Sequence, residues 1–348
     1  MESTTERPIL AVDLGGTQIR AALVTSDRTV HCRRAIPTAD EEGVEAVIGR
    51  IIEVAAAVRS DAASEGLPEP IGVGISSSGP LDPWRGVVLV APNLAGWRNI
   101  PLAPPVAVAL GLPAFLERDT NVAVMAEWRY GAAAGTRSAI YITVSTGIGG
   151  GVIIDGRPLI GPDGTAGEVG HMTLELDGPR CGCGGIGHVE AVASGTALAR
   201  EARALLRRSA DSPLGRLAAS GGEVDAELVA RAAALGDTEC IALLERAWAA
   251  VGALCASLVN LLDPEVIVIG GSIAKHHPRL FEVARLELER RALPILLEGV
   301  RIEPAALGDD VSLIGSLPIV NDRIGDPVYS AGSRPPPPAA QQQGAPSS

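Results

Sequence analysis

The chain has 348 residues, with 29 Lys and Arg against 41 Asp and Glu, and a net charge of −12 at pH 7. Hydrophobic residues make up 47% and charged ones 20%, a composition that buries a large core and excludes general disorder. A pI near 5.0 argues against nucleic acid as the main partner, because phosphate binding takes a basic face. The length suggests two domains or one large lobed one. The cysteines number 5, an odd count, and two stand together as Cys181-Gly182-Cys183. A disulfide framework is therefore not expected, and a reducing cytoplasm with a metal site fits better. Met1 to Arg7 holds no apolar signal core, so we expect a cytoplasmic chain without membrane association.

In chain order, 9–12 reads as a strand that meets Asp13-Leu14-Gly15-Gly16-Thr17, and a second alternating run follows at 19–24. Strand, glycine turn and strand make a hairpin, not the strand-turn-helix of a dinucleotide-binding unit. Residues 41–63 have helical periodicity, with Val44, Val47, Ile48, Ile51 and Ile52 on one face. A buried strand at 71–75 ends in the loop 76–80. A strand at 112–116 leads into Glu117-Arg118-Asp119, and 120–130 reads as a helix capped by Asp119 or Thr120. A second round begins with a strand at 139–144, which ends in the glycine-rich loop 145–151 and returns as a strand at 152–154. The apolar stretch 247–262 is short for a bilayer span, carries Ser257 and Asn260, and is followed by Asp263-Pro264; a buried core helix is predicted there. A third strand, 266–269, runs into Gly270-Gly271-Ser272. Two glycine-turned hairpins, each opening a lobe, suggest a duplicated α/β unit with ligands in the cleft between the lobes. After Val320 the pattern is lost, and Pro335 to Pro338 with Gln341 to Gln343 read as a disordered tail.

A phosphate needs converging N–H donors, and only glycine lets the backbone approach it closely and adopt positive φ. Asp13 beside Gly15-Gly16-Thr17 adds a carboxylate and a hydroxyl suited to hydrated Mg²⁺ and a γ-phosphate. One such loop is readily a plain hairpin turn. Three of them, each directly after a buried strand, favour nucleotide binding.

These motifs carry a resemblance. Asp13-Leu14-Gly15-Gly16-Thr17, the 145–151 loop and Gly270-Gly271-Ser272 look like the phosphate and adenosine motifs of sugar kinases with the actin/hexokinase-type fold. More narrowly, Gly167-Glu168-Val169-Gly170-His171 through Cys181-Gly182-Cys183 to His188-Val189-Glu190 resembles the ROK family (repressors, open reading frames, kinases), over about residues 8–320. The resemblance implies a two-lobed α/β, actin-like or ribonuclease H-like ATPase fold. The expected division is a small lobe over 1–118, a large lobe with a metal-binding loop over 119–305, a C-terminal helix over 306–320 packing back on the small lobe, and the tail 321–348. It also implies a nucleotide site formed by Asp13, Gly15, Gly16, Thr17, Thr146, Gly147, Gly149, Gly150, Gly270 and Gly271. Among similar proteins dimers are common, so a homodimer is expected.

His171, Cys181, Cys183 and His188 lie within one short glycine-rich span. Zinc takes four such ligands in a tetrahedron, and Cys-x-Cys can place two thiolates on one ion. Relatives usually have a third Cys where this chain has His188; imidazole serves equally, and with four protein ligands the Zn²⁺ is expected to be structural. Similarity places Asn93, Glu168, His171 and Glu190 around the sugar, since carboxylates, amides and imidazoles recognise hydroxyls by direction. The loop 76–82 resembles the family's Pro-Gly-Pro-x-Asp turn, with Ser78 where a Pro is common. The family's catalytic Asp lies in an Asn-Asp-x-Asn segment, which here reads Arg118-Asp119-Thr120-Asn121. Asp119 is thus the expected general base, held ionised at a helix start. Arg118 departs from the pattern: most relatives have Asn there, touching sugar hydroxyls, so Arg118 is a candidate substrate contact that shifts preference away from plain glucose.

The activity implied is ATP-dependent, Mg²⁺-assisted phosphorylation of the primary hydroxyl of a hexose, glucose first, with fructose, mannose or N-acetylmannosamine as alternative acceptors. A non-catalytic sugar-sensing regulator of the same family is the rival; the charge of −12 and the retention of Asp13, Thr17 and Asp119 count against it.

Overall fold

The computed structural model describes residues 7–91, 93–221 and 223–330. The described residues form two compact units: one made of 7–117 with 319–330, the other of 118–318. The first unit opens with β1 (Ile9–Leu14) and β2 (Gln18–Val24), followed by the edge strand β3 (Val30–Pro37), the helix α1 (Val44–Ser64) and β4 (Val73–Ser77). A small sheet of β5 (Leu81–Asp82), β6 (Val87–Val90) and β7 (Arg98–Pro101) comes next, then α2 (Ala103–Leu110) and β8 (Ala114–Arg118). The main sheet runs β3-β2-β1-β4-β8. Strand β1 is antiparallel to β2 and parallel to β4, so both its edges are paired; its near-continuous burial shows that both faces are covered as well, which is why it reads as an almost unbroken apolar run. Helix α1 buries Val47, Ile51, Val54, Ala55, Val58 and Ala62, the stripe that 3.6-residue periodicity turns to a core.

The second unit repeats the plan. After α3 (Asp119–Tyr130) come β9 (Ala139–Val144), β10 (Ile148–Ile154) and β11 (Arg157–Pro158), then α4 (Val189–Ala193), α5 (Gly195–Arg208), α6 (Pro213–Ala219), α7 (Ala226–Ala234) and α8 (Thr238–Leu262). They are followed by β12 (Val266–Gly270), α9 (Ser272–His276), α10 (Pro278–Arg291) and β13 (Arg301–Pro304). Its sheet is β11-β10-β9-β12-β13, with β9 antiparallel to β10 and parallel to β12. The duplicated α/β hairpin read in the sequence is thus present twice, in the same strand order. Ser194, Ser212, Asp225 and Asp237 each cap a helix by accepting an N–H from the residue three further on. Helix α8 is long and apolar enough to cross a membrane by length and composition, yet Ala247, Trp248, Val251, Leu254, Cys255 and Leu258 are buried in the core against α10. It is a core helix.

Several boundaries differ from expectation. The predicted helix at 41–63 is a 3-10 turn at Asp40–Glu42 and then α1, because Gly43 between them has φ of 94°. The loop predicted at 145–151 shrinks to Ser145-Thr146-Gly147, since Ile148 already pairs with Val144. The C-terminal helix expected over 306–320 is α11 (Val311–Arg323), and the unit boundary falls inside it, between Pro318 and Ile319. Residues 321–330 are not the start of a tail: α11 continues to Arg323, α12 (Pro327–Ser330) follows, and the Arg323 guanidinium lies 4.5 Å from the centre of the Tyr329 ring. The proline- and glutamine-rich stretch 331–348 lies outside the described residues.

Within the first unit Arg323 donates to the Glu117 carboxylate and to the Leu116 carbonyl, and the two side chains are 5% and 1% exposed. Removing one partner of so deeply buried a pair leaves an uncompensated charge. Arg323→Met should lower unfolding stability by about 3–5 kcal/mol, read from the urea midpoint; an unshifted midpoint would show that the pair contributes nothing.

Candidate active site

In the first unit the chain brings Asp13, Gly15, Gly16, Thr17 and Asn93 together. Asp13 sits at the end of β1 opposite Arg20 on β2, which donates to Asp13 Oδ2 from Nε at 3.0 Å and Nη2 at 2.5 Å. The turn Gly15-Gly16-Thr17 is pinned from behind by Thr38, whose hydroxyl donates to the Gly15 carbonyl at 2.7 Å and whose N–H donates to the Thr17 carbonyl at 2.9 Å. A Cβ at Gly16 would stand 3.0 Å from Asn93 Cβ, so the glycine turn and the Asn93 turn are in contact. Asp82, at the end of the 76–82 loop, is spoken for: its Oδ1 accepts from the Trp84 and Arg85 N–H groups, both at 3.1 Å.

In the second unit the remaining glycines divide into two kinds. Gly147 lies in the β9–β10 turn, where the Ser145 N–H donates to the Gly147 carbonyl. Gly149 and Gly150, expected to contact nucleotide, lie within β10, and packing explains them. A Cβ at Gly149 would stand 2.9 Å from Thr120 Cγ2, one at Gly150 2.5 Å from Val169 Cγ2, and one at Gly151 2.3 Å from the Thr120 carbonyl oxygen. They are glycine because the head of α3 and the Val169 turn lie against the strand. Gly271, with φ of 95°, opens α9 and passes so close to β9 that a Cβ would meet the Val144 carbonyl at 2.5 Å.

Thr146 and Ser272, the tips of the two turns in this unit, line one end of a cavity of about 1100 Å³. Gly195, Thr196 and Arg203 of α5, Ala226 and Arg231 of α7, and His276 and His277 complete much of its wall. Sequence reading missed these residues. A signal for the α5 contribution was present in Ser194-Gly195-Thr196, a capping serine at a helix start. The structure ties that start to the turn: the Gly195 and Thr196 N–H groups donate to the Ser145 and Thr146 carbonyls at 2.8 and 3.1 Å, and Ser145 Oγ lies 2.9 Å from Ser272 Oγ.

Asp119 is the first residue of α3 and is half-buried, where the aligned peptide dipoles favour a negative charge. Its Oδ1 accepts from the Thr120 N–H at 2.7 Å. Beside it, Arg118 is 3% exposed. Its guanidinium donates to Glu168 Oε1 at 2.6 Å, to Asn121 Oδ1 and the Gly150 carbonyl at 3.2 Å, and to the Ala166 carbonyl at 2.5 Å. The expected role of Arg118 as a substrate contact meets a guanidinium turned inward on protein acceptors. Glu190, in the first turn of α4, accepts the Ile148 N–H on Oε2 at 3.0 Å and stands 3.4 Å from Cys181 Sγ by Oε1.

His171, Cys181, Cys183 and His188 converge, their ligand atoms all within 4.8 Å of one another. Three backbone links make this happen: Cys181 N–H to the Gly185 carbonyl, Gly184 N–H to the Cys181 carbonyl, and Val189 N–H to the Met172 carbonyl. A tetrahedral zinc with bonds of about 2.0–2.3 Å spaces its ligand atoms about 3.3–3.8 Å apart. Cys181 Sγ to His171 Nδ1 is 3.7 Å and Cys183 Sγ to His188 Nδ1 is 3.3 Å, so the donor set and its spacing fit such an ion. Burial above all, with the Cys183 thiol and the Glu190 carboxylate beside it, pushes the Cys181 thiol up to about 11. A bound cation reverses that balance, because a coordinating thiol is deprotonated outright.

Solved structures share this architecture. The ROK hexokinase from Thermus thermophilus superposes with a TM-score of 0.75 at 36% identity, over 89% of this chain and 96% of that one. A ROK family glucokinase from Streptomyces griseus, solved in complex with glucose and AMPPNP, gives 0.74 at 30% identity, over 90% and 98%. The fold is therefore the actin-like ATPase fold of the ROK sugar kinases. Residues 9–323 match the ROK family, and the chain belongs to it. The glucokinase of Thermotoga maritima is 35% identical over 317 residues, covering 91% of this chain and 98% of the relative.

The packing origin of the β10 glycines is open to test. Gly151→Ala drives a methyl group into the Thr120 backbone and should cost about 1–3 kcal/mol in thermal or urea unfolding. A variant as stable as the parent would show that the Thr120 backbone does not require glycine at position 151.

Proposed function

We propose that the protein is an ATP-dependent hexose kinase that phosphorylates the primary hydroxyl of glucose. What carries the reading is the family match over residues 9–323, taken with an aspartate at the head of α3 next to the Arg118–Glu168 pair. Asp119 accepts the proton of the sugar hydroxyl as its oxygen bonds to the γ-phosphorus. The bond from that phosphorus to the β–γ bridging oxygen breaks, ADP leaves, and Asp119 returns the proton to solvent. Glu168, Glu190, His171 and Asn93 are assigned to the sugar hydroxyls.

Thr146, Gly147, Gly270, Gly271 and the cavity beyond Thr146 and Ser272 are assigned to the nucleotide, and Gly15, Gly16 and Thr17 to its phosphates. Asp13, whose Oδ2 is held by Arg20, is assigned by its other oxygen to the hydration shell of Mg²⁺, which supplies charge neutralisation on the phosphates when bound. The Cys₂His₂ set is assigned to structural zinc, whose contribution is to hold rigid the loop that carries Glu168, His171 and Glu190. All five cysteines are free, which suits a reducing cytoplasm, and a homodimer is the expected assembly.

A panel of glucose, mannose, fructose and N-acetylmannosamine with ATP and Mg²⁺, followed by ADP release, tests the reading. Glucose should give the highest kcat/KM; no turnover of any hexose would overturn the assignment. Asp119→Asn should lower kcat by about 10²–10⁴-fold with glucose affinity by calorimetry unchanged, and unchanged turnover would remove Asp119 from the role. The purified chain should hold about one zinc per chain. Cys183→Ser should give substoichiometric metal and a lower Tm, and full occupancy in that variant would dismiss the four-ligand site.

A further inference from the structure

Arg118 occupies a position from which it joins three stretches of chain that are distant in sequence. It precedes Asp119 at the head of α3, bonds the carbonyl of Gly150 in β10, and bonds both the Ala166 carbonyl and the Glu168 carboxylate. Its side chain is 4% exposed and that of Glu168 is 36% exposed. An arginine that merely pointed to solvent would be neutral, and one that met a ligand would keep donors on an open face. Here the inward bonds named above engage Nη1 and Nη2 alike.

We propose that Arg118 is a positioning residue for sugar recognition: its guanidinium fixes the Glu168 carboxylate in one orientation and ties the 166–171 segment to the helix that carries Asp119. The pairing divides the labour of the two carboxylate oxygens. Oε1 faces inward on Nη1 at 2.6 Å, while Oε2 lies 4.0 Å from His171 Nε2, on the side of the metal-ligand cluster. A carboxylate beside a guanidinium is an acceptor only, so it recognises hydroxyl donors and does so in a single direction. The planar fork matters, because bonds to Glu168 Oε1, Asn121 Oδ1 and two carbonyls at once require donors in fixed divergent directions. A lysine keeps the charge but cannot reach all four acceptors.

The proposal rests on the kinase reading above, and the experiment separates the two. Arg118→Lys, Asn121→Ala and the wild type are compared for glucose Kd by calorimetry, glucose KM, ATP KM, Tm and zinc per chain. Arg118→Lys should raise glucose Kd and KM about tenfold, the loss expected when a charge-assisted contact is loosened. ATP KM should stay within about twofold and the metal content should equal that of the wild type, since the guanidinium touches neither the cluster nor the cavity. Asn121→Ala removes one of the acceptors holding Nη2 and should raise glucose Kd about threefold; it decides the matter if the lysine variant does not fold. Glucose affinity unchanged in the folded variants overturns the proposal. So does a parallel rise in glucose and ATP KM, or loss of zinc along with glucose affinity, because each would make Arg118 a general support of the fold. If the wild type itself turns over no hexose, the kinase reading falls, while the calorimetric comparison still judges Arg118.

Discussion

Helix α3 can set its first turn against the second sheet because β10 presents no side chains to it. With the Thr120 carbonyl where a Cβ of Gly151 would have to be, any other residue at that position would lift the helix off the strand, and Asp119 with it. The same bare strand lets Val169 come down on Gly150, which fixes the turn that follows Glu168. So one stretch of glycine sets the separation of the Asp119 and Glu168 carboxylates. Close packing makes such a constraint stiff: interiors are dense and transmit a displaced backbone to whatever the backbone carries.

Charge is arranged around that contact in a way composition alone conceals. Glu117 and Arg118 are neighbours at the end of β8, where successive side chains leave on opposite sides of the strand. Glu117 is neutralised by Arg323 from the C-terminal helix, Arg118 by Glu168 from the glycine-rich loop. Each pair stays within its own unit. Glu117, Arg323 and Arg118 are buried, so each of these ions would be costly without its partner, whereas Glu168 keeps 36% of its side chain exposed. Their value is in registration of chain segments rather than in net stability, because replacing a buried pair by apolar groups is often neutral.

Much of the fold was legible. Buried strands such as Val266–Gly270 and the glycine turns after them announce themselves by apolar runs and punctuation, and the convergence of His171, Cys181, Cys183 and His188 by spacing. What escaped has physical reasons. Strand β3 carries Arg33 and Arg34 and buries none of its residues fully, so an edge strand had no alternation to show. The glycines of β10 looked like a loop because a residue chosen for close approach and one chosen for a tight turn are the same letter. Asp82 closes the turn that resembles the family's Pro-Gly-Pro-x-Asp segment by serving the backbone of Trp84 and Arg85, partners that only the fold brings to it. The surroundings of Arg118 could not be read, since its acceptors come from Asn121, Gly150, Ala166 and Glu168, brought together by tertiary structure alone.

The repeated strand order sharpens the contrast between the two hairpin turns. In the first unit Gly15-Gly16-Thr17 is held from one side by Thr38, and the Gly15 N–H closes the turn on the Gln18 carbonyl. In the second unit Ser145-Thr146-Gly147 is held by the start of α5 and by Glu190, whose Oε2 stands on the Ile148 N–H and close to Gly147. A carboxylate at that spot repels an anion through like charge, a feature with no counterpart in the Thr38 brace of the first turn, and Thr146 lines the cavity that begins there. Two turns of the same topology thus diverge in chemistry through what braces them from behind. The brace on the second turn, Glu190, also touches Cys181 of the Cys/His cluster, so one side chain links that turn to the cysteine loop.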